Sequence, residues 1–231
     1  ETPRKQIIVD GEATIEVEPE LFTLSASIRS RTDKQSAALA EISDKLAVIR
    51  DSLPQLEGLT HLTVDASEAV IRPIQDRECL ERAGYGDRES CSVTGYFSSV
   101  AIKVKGSPAN LSGYALSLLS ELGAEEVSLK GYAIADIESA RKSALDKAVE
   151  DARAKAVGIA NASGATLVGP IRIQYGEGFG DASAYGSSRP SVMLGLVEVS
   201  ASRDVIPETE LDLEPQPIKI SEKVVAAFEI E

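Results

Sequence analysis

Alternation and helical spacing divide the chain into segments. The clearest runs over residues 136–164, where Ile137, Ala140, Ala144, Ala148, Ala152, Ala156 and Ile159 recur about once per helical turn. Asp136 supplies an N-cap and Gly164 a stop. Glu138 with Lys142 and Asp151 with Lys155 are i,i+4 pairs with the acid first, the favourable order. The stripe is alanine rather than leucine, which predicts a helix lying close against a sheet. Its carboxylates are interleaved with Lys and Arg, as on a solvated face, and it carries no His or Cys. It reads as scaffold.

Ahead of this helix, residues 6–17 alternate through Ile7, Val9, Ala13, Ile15 and Val17, with a bulge or kink expected at Asp10–Gly11. The alternation resumes over 21–28, and the two segments are expected to pair antiparallel about Glu18–Pro19. Thr32 or Asp33 should cap a helix over 34–53 that turns Leu39, Ile42, Leu46 and Ile49 inward and ends before Pro54 and Gly58. A long, polar strand over 59–75 contains Pro73, which fits a sheet edge. Residues 93–105 read as a strand, and Ser107–Pro108 opens a helix with Pro at its first position, stopped by Gly123. Strands are expected over 127–137, 167–175, 191–200 and 218–230, with a glycine-rich mobile loop over 176–190.

Residues 22–64 and 97–134 share a strand–helix–strand order. Strand pairs separating three helices favour an α+β fold over a doubly wound parallel one: mainly antiparallel sheet, three helices packed on it, and two loosely repeated strand–helix–strand halves. The chain reads as a single domain over 6–231. A division into two subdomains, 6–75 with 165–231 and 90–164, stays open.

Charge narrows the function classes. The 231 residues hold 24 Lys and Arg against 37 Asp and Glu, a formal net charge of −13. This argues against a nucleic-acid partner and against anionic lipid, both of which need clustered cations. No apolar run approaches the roughly 18 residues that a transmembrane helix requires. The polar lead ETPRK fits an exported protein whose signal peptide has been removed, and equally a trimmed chain. Cys79 and Cys91 are the only cysteines and flank LERAGYGDRES, which reads as a loop. A disulfide across it would stabilise the fold by roughly 3 kcal/mol and would suit an oxidising compartment. Two unlinked buried thiols are the alternative.

Candidate chemistry is sparse. His61 is the lone histidine, at the entry to a strand, and reads as a surface or packing residue. No GxSxG, HExxH or CxxC occurs, so neither a catalytic residue, a cofactor nor a His-based metal cluster is expected. The GEGFG run at Gly176 lacks the Lys and Ser/Thr of a phosphate loop. Glu208, Glu210, Asp212 and Glu214 offer oxygen ligands but not EF-hand spacing, and read as a solvated acidic loop. Tyr85, Tyr175, Phe179 and Tyr185 fall in or beside loops and form a candidate contact set; the plainer reading has them covering core edges.

Four blocks, in order, are similar to one family. They are IIVDGEATIEVEPELFTLSASI, VTGYFSSVAIKVK, ARKSALDKAVEDARAKAVGIANASG and EPQPIKISEKVVAAFEI, spread over about residues 7–230. With them the chain resembles the SIMPL-domain family, whose bacterial members include periplasmic immunogenic-protein-like proteins. Glu12 stands where the family often has a second Gly, Glu20 replaces the usual Asp after Pro, and the Cys79 to Cys91 segment is peculiar to this chain or its close relatives. The resemblance implies an α+β fold and a periplasmic or outer-membrane-associated protein with its signal peptide removed. It also implies ring- or channel-like homo-oligomers in some members, a link to envelope or oxidative stress, and no catalytic residue.

The leading reading is therefore a non-enzymatic envelope protein acting by self-assembly or by contact with other envelope proteins. The alternative is a small-ligand or glycan-binding module using Tyr85 and the 176–190 loop. An enzyme with an acid/base site built from carboxylates is the third, though no pair of carboxylates stands out.

Overall fold

A computed structural model describes residues 5–82, 91–176, 211 and 213–231. Among them the order is β1 (Gln6–Val17), β2 (Leu21–Thr32), α1 (Gln35–Ser52), β3 (Thr60–Gln75), α2 (Arg77–Arg82), β4 (Val93–Ser107), α3 (Ser112–Glu121), β5 (Glu125–Ala133), α4 (Ile137–Ala162), β6 (Leu167–Tyr175) and β7 (Ile218–Ile230). Two antiparallel sheets result, β1-β7-β6 and β3-β4-β2-β5. The fold is α+β, as expected.

The elements fall into two compact units. One holds β1, α4, β6 and β7, and the other holds β2 through β5 with α1, α2 and α3; the chain passes between them at Glu18–Pro19, Ala133–Ile134 and Pro215–Gln216. These boundaries differ from the pairing of 6–75 with 165–231 against 90–164. Both strand–helix–strand halves lie in the second unit and interlock there: β4 inserts between β2 and β3, and β2 between β4 and β5. This is the double split β-α-β arrangement of ferredoxin-like sheets.

The second unit is held by bulky side chains. Phe22, Leu24, Ala26 and Ile28 alternate inward from β2 and meet Ile42 and Ile49 of α1 and Leu118 and Leu119 of α3. The buried Ser98 hydroxyl of β4 donates to the Ala38 carbonyl at 3.2 Å and ties α1 to the sheet. Ala38, rather than the expected Leu39, faces the core, because only a small residue fits where helix and strand are this close; Leu39 is exposed. Neither Thr32 nor Asp33 caps α1. Its N-cap is Lys34, with no side-chain cap, and the Thr32 hydroxyl donates instead to the Lys34 carbonyl. Pro108 precedes a short 3-10 turn at Ala109–Leu111 and is not the first residue of α3. β5 ends at Ala133, ahead of the expected residue 137, because Asp136 is already capping α4.

The first unit is built differently. Ala144, Ala148, Ala152, Ala156 and Ala160 of α4 are fully buried, and the last four of them pack on Ile7, Val9, Val224, Ala226 and Phe228 of β1 and β7. Ile137 and Ile159 lie off this seam and are exposed, since the buried row advances strictly by four residues. The Asp136 side chain accepts from the Ser139 N–H, and Gly164 sits at φ +75°, so both ends of the helix fall where its capping residues place them.

β1 does not pair with β2. It runs against β7 from Gln6↔Glu229 to Val17↔Ile218 without a break, while β2 pairs with β4 and β5. The two strands turn their apolar faces to different helices, so one sheet cannot serve both. That unbroken register also leaves no bulge at Asp10–Gly11. Residues 177–190 of the glycine-rich segment and the strand expected over 191–200 lie outside the described residues.

Candidate functional site

Gly11 lies where α4 comes nearest to β1. A β-carbon there would clash with the Ala148 carbonyl oxygen and come within 2.7 Å of Ala152 Cβ. The glycine is required for this approach. Around it, the Asp151 carboxylate accepts from the Glu12 N–H at 3.0 Å and from Lys155 at 2.8 Å, and Lys155 donates in turn to the Asp10 carbonyl at 3.1 Å. The Lys155 ammonium and, after it, the Glu12 amide hold the Asp151 carboxyl below its usual range; Asp151 in return raises Lys155. This clip fixes the helix on the strand. Of the two expected i,i+4 pairs, Asp151 with Lys155 forms, whereas Glu138 pairs with Arg141 at 3.5 Å rather than with Lys142.

Tyr175 closes β6 and is 64% exposed. Its hydroxyl donates to Glu222 Oε2 at 2.6 Å, and that carboxylate raises the phenol above its ordinary value. Tyr85, Phe179 and Tyr185 lie outside the described residues, so of the aromatic contact set only Tyr175 is placed. Glu208, Glu210 and Asp212 also lie outside, and Leu211 runs against Gly113 of α3. His61 is exposed, at φ 49°.

Cys79 and Cys91 are joined, with Cα atoms 5.7 Å apart. Cys79 lies on α2, a short helix where a loop was expected, and Asp76 accepts from the Cys79 N–H at 2.9 Å to cap it. The bridge therefore closes the connection between β3 and β4, the two strands it follows and precedes. No group of three or more His, Cys, Asp or Glu able to hold a metal occurs among the described residues. None of the described helices is long and apolar enough to cross a membrane.

The feature that residue patterns alone missed is the edge formed by β6. Among the described residues this strand pairs with β7 alone, and Val168, Ile171, Ile173 and Tyr175 are all exposed on it. Pro170 and register shifts at 167/169 and 170/172 blunt its first half. From Arg172 to Tyr175 the pairing with Ala227 through Val224 is regular, so this half of the edge is straight. Apolar residues at both parities of a short strand, beside a proline, were the available signal. β3 is one edge of the other sheet, as its Pro73 indicated, and β5 is the other.

One family model matches residues 7–228: SIMPL, described as a protein of unknown function (DUF541). Comparison with curated proteins gives no match.

Proposed function

Because this chain belongs to the SIMPL family across nearly its whole length, we propose that it is a non-enzymatic protein of the bacterial cell envelope that works by self-association through the edge of β6 that no other described strand covers. The observation that carries this reading is the stretch Ile171 to Tyr175, with Ile173 46% exposed on an edge open for strand addition. An antiparallel edge is its own complement: two copies related by a two-fold axis place the same backbone groups and the same apolar side chains opposite one another. Such a contact alone gives a dimer. A ring- or channel-like assembly needs a second surface, for which the edge of β3 is available. The disulfide supports an oxidising compartment and hence the periplasm or the outer-membrane periphery. A role in envelope or oxidative stress, carried out with other envelope proteins, completes the reading.

Size-exclusion chromatography with light scattering tests it. The parent should exceed the 24.5 kDa of one chain, and Ile171→Lys with Ile173→Lys should return it toward that mass. A parent that stays at the single-chain mass over a wide concentration range would overturn self-association.

A further inference from the structure

The face of the four-stranded sheet that points away from α1 and α3 is cationic, in a chain whose formal charge is −13. Even-numbered residues of β2 and β4 enter the core, so Arg29 and Arg31, and Lys103 and Lys105, point to the other side. Arg72 of β3 joins them, its guanidinium 5.5 Å from the centre of the Phe97 ring. Arg29 is neutralised by Glu125 and Glu126. Arg31, Lys103 and Lys105 have no ion-pair partner among the described residues, and Asp65 stands in register with Lys103 without forming an ion pair.

The spacing of these charges is informative. Arg31 and Arg72 both stand in register with Phe97, while Lys103 and Lys105 stand in register with Ser25 and Thr23. Lys103 lies six positions along β4 from Phe97, about 20 Å at the rise of a strand. Between the two cationic ends lie Ser27 opposite Ala101, then Ser99 flanked by Arg29 and Val70, with the Glu125 and Glu126 carboxylates that hold Arg29. A small compact anion would meet one end and leave the other empty. An extended anion with charges spaced along it would meet both.

We propose that this face binds an extended acidic polysaccharide, with its carboxylates or sulfates held by Lys103 and Lys105 at one end and by Arg31 and Arg72 at the other. Single-stranded nucleic acid fits less well. Sheets that bind it stack bases on several aromatic rings, whereas Phe97 is the one aromatic of β2 and β4 on this face and its ring is already covered by Arg72. The site belongs to the second unit and is independent of the β6 edge.

The test uses the full chain and polygalacturonate as probe, titrated calorimetrically at low ionic strength, where exposed charges are least screened. Binding should be saturable and weaken with salt. Lys103→Glu with Lys105→Glu should weaken it about tenfold or more, because two charge-assisted contacts become repulsive, and Arg31→Ala alone should weaken it to a smaller extent. Lys142→Glu with Lys147→Glu on α4 makes the same change in net charge at residues that are not part of this sheet and should leave binding within about twofold. No binding by the parent overturns the proposal. Equal losses in both double variants, with circular dichroism spectra matching the parent, overturn the location. Tighter binding of oligo(dT) than of polygalacturonate overturns the polysaccharide.

Discussion

The two units solve the same problem, seating helices on an antiparallel sheet, with opposite materials. In the second, Phe22, Leu24, Ile28, Ile49 and Leu119 are buried almost completely, and side-chain volume fills the space. In the first, four alanines and Gly11 let the backbone of α4 approach β1 so closely that there is no room for another atom. Interiors are packed about as densely as organic crystals in either case. The units should therefore fail in opposite ways: the second when atoms are removed, the first when atoms are added.

The largest expected effect is in the second unit. Phe22→Ala removes a ring that is fully buried and lies against Gly106, and should cost about 3–5 kcal/mol in denaturant unfolding. A loss below about 1 kcal/mol would mean the core refills around the gap. Replacing Cys79 and Cys91 by Ser should cost about 3 kcal/mol in the same unit by freeing the connection that the bridge closes. Thiol titration of the denatured, unreduced parent should find no reactive cysteine; two would remove the basis for that figure.

In the first unit, Ala148→Phe should cost about 1–3 kcal/mol by overpacking the seam. An unchanged denaturant midpoint would show that α4 is not seated on its alanines.

The smallest effect is electrostatic. Lys155 and the Glu12 amide depress the folded-state pKa of Asp151, so the clip stabilises the fold above the carboxyl's unfolded pKa, and that contribution is lost as pH falls through the folded value. Both partners are well exposed, which keeps the effect small. Asp151→Asn should make amide exchange in β1 and α4 less sensitive to acid, while α1, where Glu41 is held down by Lys45 and Ser30, keeps its acid response. Identical acid sensitivity in parent and variant would show that the clip does not contribute.

What residue patterns revealed, and what they hid, follows the range of the interactions. α4 was legible because a period of four, an Asp cap and a Gly stop all lie within one segment. The start of α1 was not, because no side chain caps it. The partner of β1 was hidden because the strand that matches it lies some two hundred residues away in sequence, and no local signal links the two. The role of Gly11 was hidden because a glycine inside a strand can mark a bulge or a close approach, and only the position of Ala148 and Ala152 decides between them. The apolar residues of β6 were visible, but its standing as an edge comes only from the sheet order. The Cys79 to Cys91 link was legible as an alternative that the geometry then decided.

The central claim, self-association through β6, is tested most directly by hydrogen exchange of the segment Leu167–Tyr175 measured at increasing protein concentration. Strand addition predicts that amides on its open edge become protected as concentration rises, in step with the mass from light scattering, while β2, in the interior of the other sheet, stays unchanged. A rise in mass with no added protection in Leu167–Tyr175 would contradict the claim and place the contact elsewhere.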